Sequence, residues 1–297
     1  MATFSFAAVA QGVPQDSGRF STFYLFATAL STGITLVLPF VSLRLIGRRF
    51  FVLMSFVAIV FFALAVAASG LETGYFHVAC AGLLIVYNVF LPAQTGVDQS
   101  LRRESTQGGP QRFAQALSGA ILGLAALCGT LGVVLDAIHH PQPIEISGRQ
   151  ELWLALSFVT GSLLLGSAAT GMVLGHWYLV VRNASFRPLA TLTWVLLTAL
   201  GLRTLTALST LILQEARWTQ LLADGGVTGF LLGPGIFILA RWGFGLLAPI
   251  VMTWLAWKCV QIKSNQSATG ILYVVLAFVL IGEILAKYFL LSEGLVL

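Results

Sequence analysis

Between Leu152 and Val181 the sequence reads LWLALSFVTGSLLLGSAATGMVLGHWYLVV, an apolar run without Asp, Glu, Lys or Arg. A helix needs about 20 apolar residues to cross the hydrocarbon core of a bilayer, which is about 30 Å thick. This run is long enough to cross with a tilt or to protrude. Small residues recur along it, at Gly161, Gly166, Gly171 and Gly175. Because small residues let helices approach closely in a membrane, we expect this helix to be central in a helix bundle.

The rest of the chain has the same apolar character. Of its 297 residues, 58% are hydrophobic and 9% are charged, against about 25% charged in ordinary soluble domains. This composition excludes a conventional soluble enzyme, and so few charges exclude a nucleic-acid-binding surface. Eight stretches qualify as membrane spans: Phe20–Leu45, Phe50–Gly70, Phe76–Pro92, Phe113–Ile138, Leu152–Val181, Leu189–Gln214, Gly235–Val260 and Thr269–Leu291. We predict an all-α, polytopic membrane protein with about eight spans, in which residues 1–297 form one transmembrane domain.

The basic residues predict how the chain is oriented. The odd-numbered loops between spans contain Arg44, Arg48, Arg49, Arg102, Arg103, Arg112, Arg182, Arg187, Lys258 and Lys263. The N-terminal segment and the even-numbered loops contain Arg19, Arg149 and Arg217. Since basic loops stay in the cytoplasm, both termini are predicted on the outer, periplasmic side of a bacterial inner (cytoplasmic) membrane.

Four charged side chains fall inside the predicted spans, where an ionisable residue is costly and faces the bundle interior. They are Arg203 in span six, Arg241 in span seven, and Glu283 and Lys287 in span eight. With a rise of about 1.5 Å per residue, all four lie in the outer half of the bilayer. Glu283 and Lys287 are four residues apart, so they share a helix face and are expected to pair. Asp136, near the outer end of span four, is a candidate partner for the arginines.

These charges fit two interpretations. In the first, an outward-facing polar pocket binds a carbonyl or an anion through Arg203, Arg241 and Lys287, while Glu283 and Asp136 transfer protons. In the second, the charges form a buried ion network that holds the helices together, and the lysine extends to the interface. The sequence leaves both interpretations open.

The histidines are weaker candidates. His77 and His139, predicted on the outer side with His140, are weak candidates for metal ligands beside Asp136. His176, near the cytoplasmic end of span five, is a candidate ligand contact or proton relay. A bis-histidine haem needs two histidines at matching depth on facing helices. His176 has no such mate, so no haem is expected.

The pattern favours a membrane subunit of a respiratory-type electron-transfer complex. A quinol site needs donors for ring oxygens, a proton acceptor and a flat apolar cleft, which the cations, the carboxylates and the glycine-rich spans provide. Eight helices, outer termini and an outer-half polar site are similar in layout to the membrane anchors of polysulfide and DMSO reductases. The chain would then be at most a subunit of an oxidoreductase, without a redox centre of its own. We expect quinone as its ligand, membrane lipids around it, and partner subunits on the outer face or in the membrane.

Two alternatives use the same charges differently. A proton- or anion-coupled small-solute transporter would employ them as its substrate or coupling site. No internal repeat is visible and the charges lie off-centre, which speaks against this alternative. A structural membrane subunit would use them only to lock its helices.

Overall fold

A computed structural model describes residues 21–69, 74–91, 109–139, 148–180, 185–215, 218–219, 230 and 234–297. Within these ranges the chain is helical and contains no strand. The long helices are α1 (Thr22–Val37), α2 (Arg48–Ser69), α3 (Tyr75–Phe90), α4 (Gly109–His139), α5 (Gly148–Val180), α6 (Arg187–Leu213), α7 (Pro234–Trp242), α8 (Ala248–Gln261) and α9 (Asn265–Glu293). A π-helical turn, Gly243–Leu247, joins α7 and α8 into one span.

The predicted all-α membrane bundle is confirmed. In the described part of the chain, seven helical spans are long and apolar enough to cross a membrane. The remaining apolar helix, α3, has 16 residues, which at about 1.5 Å each extend about 24 Å. That α3 crosses as an eighth span stays a prediction, as does the side on which the termini lie.

The first span is shorter than predicted. α1 ends at Val37, a 3₁₀ turn covers Leu38–Phe40, and a separate short helix covers Leu43–Ile46. Pro39 lies within the 3₁₀ turn. Its ring fixes φ and removes a backbone donor, so the helical hydrogen-bond pattern stops there.

The prediction that the helix beginning near Leu152 is central is confirmed. α5 packs against α1, α4, α6 and α9. It crosses α1 where Gly33 faces Ser162 and Gly166, and a Cβ on either glycine would overlap the backbone of the other helix. The small residues of α5 therefore allow direct backbone contact, as their spacing predicts.

Candidate functional site

Glu283 of α9 is the centre of a buried ion cluster. Its Oε1 accepts hydrogen bonds from Arg203 Nε of α6 at 2.8 Å and from Arg241 Nη2 of α7 at 2.9 Å. Its Oε2 accepts from Arg203 Nη2 at 3.3 Å. All three side chains are at most 1% exposed. One carboxylate thus connects three helices, and three of the predicted site residues lie together.

Glycines make room for this cluster. A Cβ at Gly161 of α5 would lie 2.8 Å from Glu283 Oε2, so only a glycine leaves space for the carboxylate there. A Cβ at Gly282 would lie 2.5 Å from the Cα of Gly245 in the π-helical turn. This backbone contact between α9 and the turn brings Arg241 beside Glu283.

The π-helical turn also gives Arg241 a second partner. Pro249 has no N–H, so it cannot donate to the carbonyl of Gly245, four residues earlier. Arg241 Nη1 donates to that carbonyl instead, at 3.2 Å. π-helical turns are frequent at functional sites. Sequence reasoning missed this arrangement, and the spacing of Arg241, Gly245 and Pro249, four residues apart, was the available signal.

Arg203 has two further partners that the sequence did not predict. Its Nη1 donates to Ser157 Oγ of α5. Its Nη2 donates to the main-chain oxygen of Leu297 at 2.7 Å. Arg203 is therefore bonded to α5, to α9 and to the chain segment that follows α9.

Lys287 does not pair with Glu283, although the two lie one helical turn apart. Both carboxylate oxygens are already occupied by guanidinium groups from other helices. The lysine Nζ lies 3.6 Å from the centre of the Phe158 ring of α5, a cation–π contact. Lys287 is 2% exposed, and no oxygen of a described residue accepts a hydrogen bond from Nζ. At longer range its charge interacts with those of Glu283 and Asp136.

Asp136 does not join the arginines but forms a second buried cluster at the ends of α1, α3 and α4. Its Oδ2 lies 2.8 Å from His77 Nε2, and its Oδ1 accepts from Tyr24 Oη at 3.1 Å. The His77 ring stacks on Phe62, with ring centroids 5.5 Å apart. Because a carboxylate accepts hydrogen bonds, Nε2 is the donor in this contact, and Nδ1 is the ring nitrogen that the contact leaves over. This Nδ1 is buried and has no partner.

The other two predicted histidines bond to neither cluster. His139 is exposed, and its Nδ1 lies 2.9 Å from the Leu135 carbonyl of its own helix. His176 is also exposed, with its Nδ1 3.1 Å from Tyr273 Oη. His77 and His139 are therefore not brought together as metal ligands, and His140 lies outside the described residues. Among the residues that are described, no three His, Cys, Asp or Glu side chains form a group that could hold a metal ion.

Comparison with known proteins identifies no relative: no protein-family model, no curated protein and no solved structure matches this chain significantly.

The two clusters together contain more buried cations than carboxylates. Among the described residues, three cationic side chains of the clusters are buried, those of Arg203, Arg241 and Lys287, against two acidic ones, those of Glu283 and Asp136. The Nε of Arg241 is buried without a hydrogen-bond partner. Unpaired buried donors are costly. Glu283 is poorly placed to accept a proton, because protonation would weaken its three bonds to guanidinium groups. The arrangement is therefore suited to donating hydrogen bonds to a carbonyl, a hydroxyl or an anion.

Proposed function

We propose that the chain is an integral membrane subunit of a respiratory-type electron-transfer complex and binds quinol in the outer half of the bilayer. The observation that carries the proposal is the surplus of buried cations: Arg241 Nε is buried without a hydrogen-bond partner, and the third buried cation is the ammonium group of Lys287. It lies against an aromatic ring and has no oxygen partner. A quinone is lipid-soluble, flat and carries two ring oxygens, so it is a suitable acceptor at this depth.

In this proposal each residue of the site has a separate role. Arg203, Arg241 and Glu283 hold three helices at fixed positions and leave a net positive charge beside the ligand. Lys287 adds to that charge. His77, oriented by Asp136, offers the free lone pair of Nδ1 as a proton acceptor. The sequence predicts proton transfer by Glu283 and Asp136. The geometry supports His77 in this role instead.

Quinol oxidation in such a complex releases two protons and two electrons. In this proposal His77, near the ends of three helices, is directed at the outer side, and the protons leave there. The electrons pass to a redox centre of a partner subunit, such as an iron–sulfur or haem protein, on the outer face or in the membrane. The ion cluster also supports the structural alternative, but that alternative gives no reason for an unpaired Lys287.

The test compares Lys287→Met with the wild-type chain. The variant keeps the length of the side chain but removes the charge, so we expect binding of decylubiquinol to weaken about tenfold, which is about 1.4 kcal/mol. The thermal midpoint should stay equal or rise, because an unpaired buried cation is costly. Lys258→Met is the matched control, since Lys258 is exposed at the end of α8 and should not affect quinol binding.

Quinone content after mild extraction provides the second measurement. The wild-type chain should retain quinone, and Lys287→Met should retain less. Absence of quinone, together with no binding of decylubiquinol to the wild-type chain, would contradict the proposal. A lower thermal midpoint of Lys287→Met without a change in binding would favour the structural alternative.

A further inference from the structure

The segment Gly294–Leu297 folds back over the ion cluster. Gly294 has a φ of 64°, a left-handed conformation that favours glycine and ends α9 there. The N–H of Leu295 donates to the Phe289 carbonyl at 3.2 Å. Leu295 is 0% and Leu297 is 1% exposed. The segment is thus packed into the bundle and does not project from it.

The side chain of Gln214, the residue that follows α6, makes two hydrogen bonds to this segment. Gln214 Nε2 donates to the Gly294 carbonyl, and its Oε1 accepts from the N–H of Val296, both at 3.0 Å. This amide and the bond from Arg203 to Leu297 thus attach the segment to α6 and to the residue that follows it.

The segment supplies Arg203 with an oxygen that a ligand could replace. The bond from Nη2 to the Leu297 oxygen is 2.7 Å long, whereas the bond from Nη2 to Glu283 Oε2 is 3.3 Å long. Unlike Glu283, which is part of the long helix α9, Leu297 lies outside any helix. A ring oxygen in the same position would accept the same hydrogen bond from Arg203.

A cleft lies next to the segment, between the neighbouring ends of α5 and α6. Trp153 lies on one side, Thr206, Thr210 and Gln214 lie on the other, and Val296 borders it. The space amounts to about 20 Å³, which suffices for one water molecule. It is far too small for a quinone ring, so a ring can occupy the cleft only if part of its lining moves, and Val296 of the segment belongs to that lining.

The hydroxyl groups beside the cleft favour a ligand that donates hydrogen bonds. Ser209 Oγ donates to the Thr206 carbonyl and Thr210 Oγ1 donates to the Ala207 carbonyl, each at 2.7 Å. With their protons used inside α6, both oxygens present lone pairs. A quinol has hydroxyl protons for such acceptors and a quinone does not.

We propose that Gly294–Leu297 is a displaceable gate of the quinol site. On displacement, the quinol ring occupies the cleft beside Trp153, one of its oxygens takes the place of the Leu297 oxygen on Arg203, and its other hydroxyl donates to Ser209 or Thr210. This inference rests on the proposed function, for which it specifies the binding position and a preference for the reduced ligand.

The test follows the backbone amides of the segment by hydrogen–deuterium exchange, with the full chain in lipid nanodiscs. Without ligand, the amides of Leu295 and Val296 should exchange slowly because both are hydrogen-bonded. Saturating decylubiquinol should accelerate their exchange. Decylubiquinone should accelerate it less.

Two variants release the gate by different routes. Gln214→Ala removes two hydrogen bonds, so exchange of the segment should be fast without ligand and decylubiquinol should bind about 5–30-fold more tightly. Gly294→Ala strains the positive φ without altering the cleft and should act in the same direction. Gln261→Ala, at the exposed end of α8, is the matched control and should change neither measurement.

The outcomes separate the gate from the proposed function. Quinol binding with unchanged or slower exchange of the segment, and no gain in affinity in either variant, overturns the gate and leaves the proposed function standing. Failure of decylubiquinol to bind the wild-type chain and both variants overturns the proposed function, and the gate with it.

Discussion

Glu283 pairs with two arginines through one carboxylate, because guanidinium groups from two other helices share its two oxygens. Neither arginine has another Asp or Glu side chain within salt-bridge distance among the described residues. A buried ion cluster adds little to the net free energy of folding. Removing one partner is nevertheless costly, because it leaves a buried charge uncompensated. The carboxylate is the member whose loss affects the most partners.

We therefore expect Glu283→Gln to lower the free energy of unfolding by roughly 3–5 kcal/mol. Chemical or thermal unfolding in detergent micelles would measure it. Glu151→Gln is the control, because Glu151 is exposed at the start of α5 and its substitution should change stability by less than about 0.5 kcal/mol. Similar losses in the two variants would contradict a special role for Glu283.

At the scale of single residues, the sequence located the charges but not their partners. Arg203, Arg241, Glu283 and Lys287 are all buried, as expected for ionisable residues within spans. The spacing of Glu283 and Lys287 indicates only that they share a face. Which side chains of other helices reach that face first depends on tertiary packing, and here two arginines occupy the carboxylate.

At the scale of elements, the crossing of α9 and the π-helical turn determines the site. The contact is between Gly282 and Gly245, with Arg241 Nη1 close to both. No side chain separates the two backbones at this point. The distance between the helices, and with it the bond from Arg241 to Glu283, therefore depends on glycine, which has no Cβ, at both positions.

Gly282→Ala should consequently destabilise the protein by about 1–3 kcal/mol, as expected for overpacking. Unfolding under the conditions used for Glu283→Gln would measure it. Gly270→Ala on the same helix is a matched control, because a Cβ there meets nothing within 4 Å. If Gly270→Ala were as destabilising as Gly282→Ala, the loss would come from the helix itself and not from the crossing.

Helices were predictable from the length of their apolar runs. The positions at which helices end or are interrupted were less predictable. The long apolar runs correspond to helices, and the glycines of α5 to a helix crossing. The early end of α1 and the π-helical turn depend on Pro39 and Pro249. Each proline removes a backbone hydrogen-bond donor, and a hydropathy pattern does not show this local effect. The fold-back of Gly294–Leu297 depends on one glycine and one glutamine, and no periodic pattern indicates it.

At the scale of the whole molecule, the orientation in the membrane is open to direct measurement. The positive-inside pattern predicts Lys263, in the turn between α8 and α9, on the cytoplasmic side and Glu151, at the start of α5, on the outer side. Single cysteines at these positions, in a chain whose three native cysteines are replaced by alanine, would be labelled in intact cells with a membrane-impermeant maleimide. Glu151→Cys should react and Lys263→Cys should not. The reverse pattern would invert the proposed site to the cytoplasmic half.

The π-helical turn determines how the side chains before and after it are oriented around the axis of the seventh span. In an uninterrupted α-helix, each residue advances about 100° around the axis, so Arg241 and Val260 would point about 100° apart. A π-helical turn accommodates one extra residue, which restores their alignment, and both side chains are buried. A chain one residue shorter between Gly243 and Leu247 would form a more regular helix. With α8 packed as it is, the same deletion would leave Arg241 directed at α9, because eighteen residues make about five full turns of a regular α-helix.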